Sequence, residues 1–342
     1  MSARESIIPV FVPHLGCPND CVFCNQRRIS GALEPATAED VKKAIAEAAA
    51  LPYIGAKRQL AFYGGSFTAI PQCQMLSLLN AAKEALDEGS ITSVRLSTRP
   101  DAIDGEILNT LAAHGVETIE LGAQSLDDEV LLLSGRGHTA KDVEDASRLI
   151  KERGFRLILQ MMTGLPGDSD EKSIETARRI IALRPDGVRI YPTVIVRDTA
   201  LFDLWQAGEY DPHTVEDAVN VCARLVPMFE KAGIPIIRLG LNPTEELSGG
   251  MAAAGAYHPA LGELVKSRIM LEKAAELLEG TEAQSHVVLG VHPSKVSQMT
   301  GQKRCNIEAL MSMYALASLK VKPIDCEKDE ILIISLEKAE KT

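Results

Sequence analysis

A chain of 342 residues, 46% hydrophobic and 24% charged, can bury a sizeable core as one barrel-sized domain with an appendage or as two ordinary domains. Its composition is that of a globular protein, which excludes a disordered or membrane-spanning class. The formal net charge of −11, from 36 Lys+Arg against 47 Asp+Glu, supplies no global attraction to nucleic acid and leaves only a local basic patch open.

The N-terminal stretch is broken by Pro9 and Pro13 and lacks the apolar run and cleavage site of a secretory signal. No apolar run approaches the roughly 20 residues that cross a bilayer, so a cytoplasmic protein with no membrane partner is expected. Short apolar runs then alternate with amphipathic stretches, the pattern of repeated strand-helix units around a parallel sheet. The runs at 7–12, 59–63, 93–97, 118–122, 156–161 and 187–191 predict six strands.

Helix starts are readable between them. Thr37 with Asp40 precedes Val41, Ile45 and Ala48, and Thr139 with Asp142 precedes Val143, Ala146 and Ile150, which Gly154 then stops. Right-handed crossovers wind such units into an α/β fold, a partial (β/α)6 TIM-type barrel whose functional face lies at the strands' C-terminal ends. The chemically suggestive residues follow the strands: residues 17–24, Gly64-Gly65-Ser66, Thr98-Arg99, Gln124-Ser125, 164–167 and Tyr191-Pro192. All are expected on one rim, although an open doubly wound sheet also gathers ligands at strand ends.

After residue 198 the pattern turns to longer helices at 214–232 and 261–278 and a strand-like 331–335. Asn242-Pro243 and Gly249-Gly250 read as linkers. A boundary near residue 240 divides a core, 1–240, from a smaller C-terminal α/β extension, 241–342.

Three of the seven cysteines, Cys17, Cys21 and Cys24, fall within eight residues, while Cys73, Cys222, Cys305 and Cys326 are scattered. In a chain with no export signal such clustering points to metal binding rather than disulfides. Three thiolates spaced by three and then two residues can wrap one iron-sulfur centre and leave one iron open to an outside ligand. A structural zinc site is the other reading of the spacing, and it needs a fourth ligand such as His14.

Cys17-Pro-Asn-Asp-Cys21-Val-Phe-Cys24, with aromatic Phe23 before the last cysteine and a strand ahead of the first, resembles the signature of the radical S-adenosylmethionine (SAM) superfamily. The resemblance spans roughly residues 7–195. It implies a [4Fe-4S] cluster on Cys17, Cys21 and Cys24, S-adenosyl-L-methionine chelated at the open iron, and reductive cleavage to a 5'-deoxyadenosyl radical. It also implies an electron donor such as flavodoxin or ferredoxin. Tyr63-Gly-Gly-Ser-Phe67 is similar to the family's glycine pair, which lets backbone approach the methionine amino group, so Gly64, Gly65 and Ser66 join Phe23 as cofactor-binding residues.

Ser97-Thr-Arg-Pro-Asp101, Leu121-Gly-Ala-Gln-Ser125, Gly135-Arg-Gly-His-Thr139 and Met162-Thr-Gly-Leu-Pro-Gly167 are together similar to the radical core of the Elongator catalytic subunit and to coproporphyrinogen-oxidase-like proteins. That similarity implies Gln124 and Ser125 near the cofactor's ribose or carboxylate, and Gln160 and Met161 near its adenosyl part. Arg136 suits bidentate recognition of a cofactor carboxylate or a substrate anion, or it is an exposed helix-cap arginine. His138 reads as structural, and Glu120 as a buried partner of a rim cation.

The chain departs from both relatives. It shows neither the acetyltransferase domain nor the longer cysteine gap of the first, and Asn25-Gln26 stands where the second continues with cysteine or an aromatic. The expected activity is therefore a radical SAM enzyme with an unidentified substrate, a transfer-RNA base being the first candidate and a small molecule the second. The alternative is a heme-binding carrier or redox-responsive cluster protein on the same core. Lys295, Lys303 and Arg304 read as a solvated basic turn or a local phosphate contact.

Overall fold

The computed structural model describes residues 5–12, 21–24, 35–50, 57–242 and 247–338. These form two compact units. The first holds the described residues up to Thr214 together with Leu225–Tyr257, and the second holds Val215–Arg224 and the described residues from His258 on.

The first unit is built on one parallel sheet. Strands β1 (Glu5–Val12), β2 (Lys57–Gly64), β3 (Ser93–Thr98), β4 (Val116–Gln124), β5 (Arg156–Thr163) and β6 (Gly187–Pro192) lie in chain order. Helices α1 (Ala38–Ala50), α2 (Gln72–Asp87), α3 (Gly105–Ala113), α4 (Asp128–Leu133), α5 (Ala140–Glu152) and α6 (Asp170–Ala182) occupy the connections. The two cap signals are real. Thr37 and Asp40 bond reciprocally ahead of α1, and Thr139 and Asp142 close a full capping box at α5.

Strand alternation sorts the side chains of the curled sheet. Leu60, Phe62, Leu96, Ile119, Leu121, Leu157, Leu159, Val188 and Ile190 are buried on one face, as are Leu79, Leu111, Val143, Ile150, Ala177 and Ile180 of the helices. Gln59, Tyr63, Arg95, Glu120, Gln160 and Arg189 share the other, concave face. The result is the half-barrel that the pattern of short apolar runs predicts.

Among the described residues the sheet has seven strands where the sequence reading expects six. Beyond β7 (Val194–Val196), α7 (Ala200–Gln206) and α8 (Val215–Lys231), strand β8 (Ile236–Leu239) adds to β6 in parallel. Four residues are too few to show a period, which is why this strand is silent in the sequence. β7 pairs instead with β9 (Ala252–Gly255) in a separate antiparallel ribbon.

The second unit holds α9 (Leu261–Leu277), β10 (His286–Val291), α10 (Val296–Thr300), α11 (Cys305–Met313), β11 (Ser318–Pro323) and β12 (Ile331–Glu337). β10 is central, parallel to β11 and antiparallel to β12. Its core gathers Met270, Leu289, Met299, Leu310 and Leu319, and buried Asn306 ties α11 to Ser267 and to the Gln298 carbonyl. Among the described residues no helix is long and apolar enough to cross a membrane.

Gly64 ends β2 at φ +108°, and a Cβ there would stand 2.9 Å from the Val12 carbonyl oxygen of the paired strand. Both the dihedral and the close approach require glycine. Gly64→Ala is therefore expected to destabilise the first unit by about 1–3 kcal/mol, read as a lower urea midpoint.

Candidate functional site at the rim of the half-barrel

The rim is assembled by hydrogen bonds that run from strand to strand. Gly65 N donates to the Val12 carbonyl at 2.9 Å. Buried Ser66 lies 3.1 Å from Thr98 Oγ1, and its Oγ accepts from Arg99 N at 2.9 Å. Arg99, 2% exposed, grips Asp101 through two bonds at 2.7 and 2.9 Å and donates from Nη2 to the Arg136 carbonyl at 3.0 Å. Arg136 completes the run. Its Nη1 donates to Cys21 Sγ at 3.4 Å and its Nη2 to the Gly122 carbonyl at 2.6 Å.

Arg136 is therefore a buried tie between the cysteine segment and β4, and not an exposed cap. Gly122 makes its room, because a Cβ there would sit 2.6 Å from Arg136 Nη2. The cysteine segment is anchored on both sides. Val22 N donates to the Ser134 carbonyl at 3.1 Å, Leu201 N donates to the Val22 carbonyl at 2.7 Å, and Cys24 N turns back to the Cys21 carbonyl. Cys21 is buried, Phe23 and Cys24 are partly exposed, and neither cysteine is in a disulfide. Cys17 and His14 lie outside the described residues.

β4 breaks register between Gly122 and Gln124, and Gln124 takes φ +64°. A bulge of this kind re-aims a side chain at a strand end. Gln124 is 9% exposed, and its Oε1 is buried without a hydrogen-bond partner among the described residues. Arg136 Nε is likewise unpartnered. Ser125 stands beside them, but its Oγ accepts from Asp127 N at 3.1 Å and lies 3.3 Å from Thr176 Oγ1, so its hydroxyl is engaged in the fold.

Gln160 faces the concave side and donates to Glu120 Oε2 at 3.2 Å. Met161 does not. It is 0% exposed and shares the helix-covered face with Leu157 and Leu159, because neighbouring strand residues point oppositely. The sequence reading sets both Gln160 and Met161 near the adenosyl part of the cofactor; of these two consecutive strand residues, only Gln160 turns its side chain to the barrel.

Beneath the rim, fully buried Glu120 binds two arginines. Arg95 Nη1 donates to its Oε1 at 2.9 Å and Arg189 Nη2 to the same oxygen at 3.1 Å, while Arg189 Nε lies 2.9 Å from Oε2 without hydrogen-bond alignment. Tyr63 OH adds a long contact at 3.4 Å. Burial pulls the Arg189 pKa down, but Glu120 outweighs it and holds the group above its ordinary value. Burial, helped by Glu120, also pushes Tyr63 and Tyr191 up. Sequence reasoning identified Glu120 but missed these arginines. The available signal was a charged residue in the middle of an apolar strand, which is rarely buried without a partner.

The Gly164–Gly167 turn after β5 is held by Asp168, which accepts from Gly164 N and Ser173 Oγ at 2.8 Å each. Burial raises the Asp168 pKa. This turn lines a cavity of about 500 Å3 with Tyr210 and His213. In the second unit Lys295 pairs with Asp329 at 3.0 Å.

Two family profiles match the chain in succession, the Radical SAM superfamily over residues 11–180 and the Radical SAM C-terminal domain over residues 185–270. The chain belongs to the radical SAM superfamily. This family uses a [4Fe-4S] cluster and S-adenosylmethionine. Human Elongator complex protein 3 is 28% identical over 226 residues, covering 60% of this chain and 40% of that protein. A tRNA uridine(34) acetyltransferase of Methanocaldococcus infernus is 34% identical over 173 residues, 50% of this chain and 32% of that one. The chain thus spans less than half the length of each. The solved archaeal Elp3 of M. infernus, with residues 1–46 deleted, superposes with a TM-score of 0.60 at 24% identity over 79% of this chain and 63% of that chain, a likeness of fold.

The rim has the chemistry a radical SAM site requires. It offers cysteines outside any disulfide beside a guanidinium that can offset anionic sulfur, and two buried polar atoms, Gln124 Oε1 and Arg136 Nε, without hydrogen-bond partners among the described residues.

Two measurements probe this architecture. Glu120→Ala leaves Arg95 and Arg189 buried without their carboxylate and should lower unfolding stability by about 3–5 kcal/mol in urea titrations. His138 is buried with Nε2 3.3 Å from the Ala123 carbonyl, and burial first, then Arg136, pushes its pKa from 6.5 down to about 4. Between those values the unfolded chain binds the extra proton, so stability falls as pH drops from about 6.5 to about 4, by roughly 2–3 kcal/mol. His138→Gln should flatten that part of the stability-pH curve.

Proposed function

We propose that this chain is a radical SAM enzyme in which Cys17, Cys21 and Cys24 hold the cluster and the substrate is a transfer-RNA base. The radical core lies within residues 1–240, with 241–342 as an accessory region. The observation that carries the reading is the continuous rim network from Ser66 through Arg99 and Arg136 to Cys21. When bound, the cluster and S-adenosylmethionine supply a strongly oxidising carbon radical from one donated electron.

The chain's own residues then have separable tasks. Gly64 and Gly65, without side chains at the end of β2, leave backbone available to an amino group, Arg136 Nε remains to donate to a carboxylate, and Gln124 Oε1 remains to accept from a ribose hydroxyl. Gln160, fixed by Glu120, borders the adenosyl side. The protein positions and shields, and the cofactor carries the hard chemistry.

The names of the relatives support the substrate class, since the archaeal match is a tRNA uridine(34) acetyltransferase. A flavodoxin or ferredoxin is the proposed electron donor, and the cytoplasm the proposed compartment. With a net charge of −11, contact with a polyanion must be local.

The test is anaerobic reconstitution, then addition of reductant and S-adenosylmethionine with 5'-deoxyadenosine as the readout. Formation by the wild type and none by Cys21→Ala is expected, with a rise on adding unmodified transfer RNA. A colourless, inactive, zinc-containing protein overturns the reading. Tight heme binding without cofactor cleavage favours a carrier.

A further inference from the structure

The strands bring three guanidinium groups to the middle of the concave face. Among the described residues they meet one carboxylate there. Arg95 and Arg189 both spend their charge on Glu120. Arg238 comes from β8, the strand the sequence did not announce. A register shift between Val188 and Arg189 sets Arg189 directly opposite Arg238, so the two cations are cross-strand neighbours on one face. Arg238 is half-buried and makes no ion pair or hydrogen bond among the described residues.

Tyr191 feels the charge of both Arg189 and Arg238. Two like charges side by side in a partly desolvated concavity repel, and a third charge of opposite sign is needed to balance them. Glu120 is already shared, and among the described residues no second carboxylate on this face supplies that charge. A net-positive concavity with low-dielectric walls also concentrates counter-ions of the other sign, whatever the net charge of the whole molecule. Arginine is suited to planar oxyanions through paired N–H donors. Tyr191, kept protonated by burial, adds a hydroxyl donor at the same place.

We propose that the concave face holds an oxyanion site in which Arg238, with Arg189 and Tyr191 beside it, receives a phosphate or carboxylate group of the substrate. This rests on the reading of the chain as a radical SAM enzyme whose substrate enters the half-barrel, and it adds the chemical group by which that substrate is held. The site is separate from Arg136, which is committed to Cys21 and Gly122 at the rim.

The experiment uses reconstituted protein and isothermal titration with inorganic phosphate and, separately, with malonate. Wild type is expected to bind one of the two saturably, phosphate preference indicating a nucleotide-type group and malonate preference a carboxylic acid. Arg238→Gln should weaken that binding by roughly tenfold or more, the loss of a charge-assisted contact. Arg238→Lys should recover part of it, which a merely structural role would not produce, and matched melting curves show that both variants fold.

S-adenosylmethionine binding by equilibrium dialysis should be the same in wild type and Arg238→Gln. Absence of saturable binding of either anion by wild type, or equal binding by Arg238→Gln, overturns the site. Equal weakening of S-adenosylmethionine and anion would assign the cation to the cofactor and likewise overturn it. In each of these cases continued 5'-deoxyadenosine formation leaves the proposed enzyme class standing, so the two failures are distinguishable.

Discussion

The buried carboxylate of Glu120 organises the polar side of the half-barrel. Four strands contribute to it directly, β2 through Tyr63, β3 through Arg95, β5 through Gln160 and β6 through Arg189. Buried ion pairs are weak evidence for stability, since desolvation can exceed the Coulombic gain. What they do supply is registry. A one-residue slip of β3 or β6 would turn the guanidinium to the helix-covered face and leave Glu120 unpaired, which is far more expensive than the pair itself. The apolar face decides that the sheet is buried, and Glu120 selects the registers in which its strands pair.

Registry at that depth determines what stands at the strand ends. Because β4 is held by Glu120, its bulge after Gly122 delivers Gln124 and opens the space that Arg136 fills. Arg136 then holds Cys21 from one side while Ser134 and Leu201 hold the backbone of Val22. Thiols that must meet an inorganic centre gain from such anchoring, since a ligand set on a loop is only as well placed as the contacts behind it.

Much of this was legible in the sequence, for identifiable reasons. Six strands announce themselves through short apolar runs, and α1 and α5 through Thr and Asp at capping-box spacing. The cysteine spacing and the glycine pair are local patterns, so they survive without any knowledge of tertiary structure. Other features depend on partners distant in sequence. Arg95 and Arg189 look like errors in apolar strands until Glu120 is seen between them. The Ser125 hydroxyl meets Thr176, a partner far along the chain that no local pattern announces. Met161 and Gln160 part for a simpler reason: strand alternation lets one of the two side chains face the barrel, and the polar one does.

β8 couples the least legible part of the fold to its electrostatics. A four-residue strand contributes little apolar burial, and its register with β6 sets two arginines side by side. If packing alone had shaped this edge, an apolar side chain opposite Arg189 would have been more favourable than a second guanidinium that meets no carboxylate among the described residues. The cost is tolerable because Arg238 is only half-buried and retains contact with water. It becomes a gain once an anion displaces that water, since each charge is then matched in a medium of lower dielectric constant. An acidic protein that keeps a cationic interior repels polyanions at long range and rewards an anion only after it has entered, so selection falls on fit within the half-barrel rather than on surface attraction.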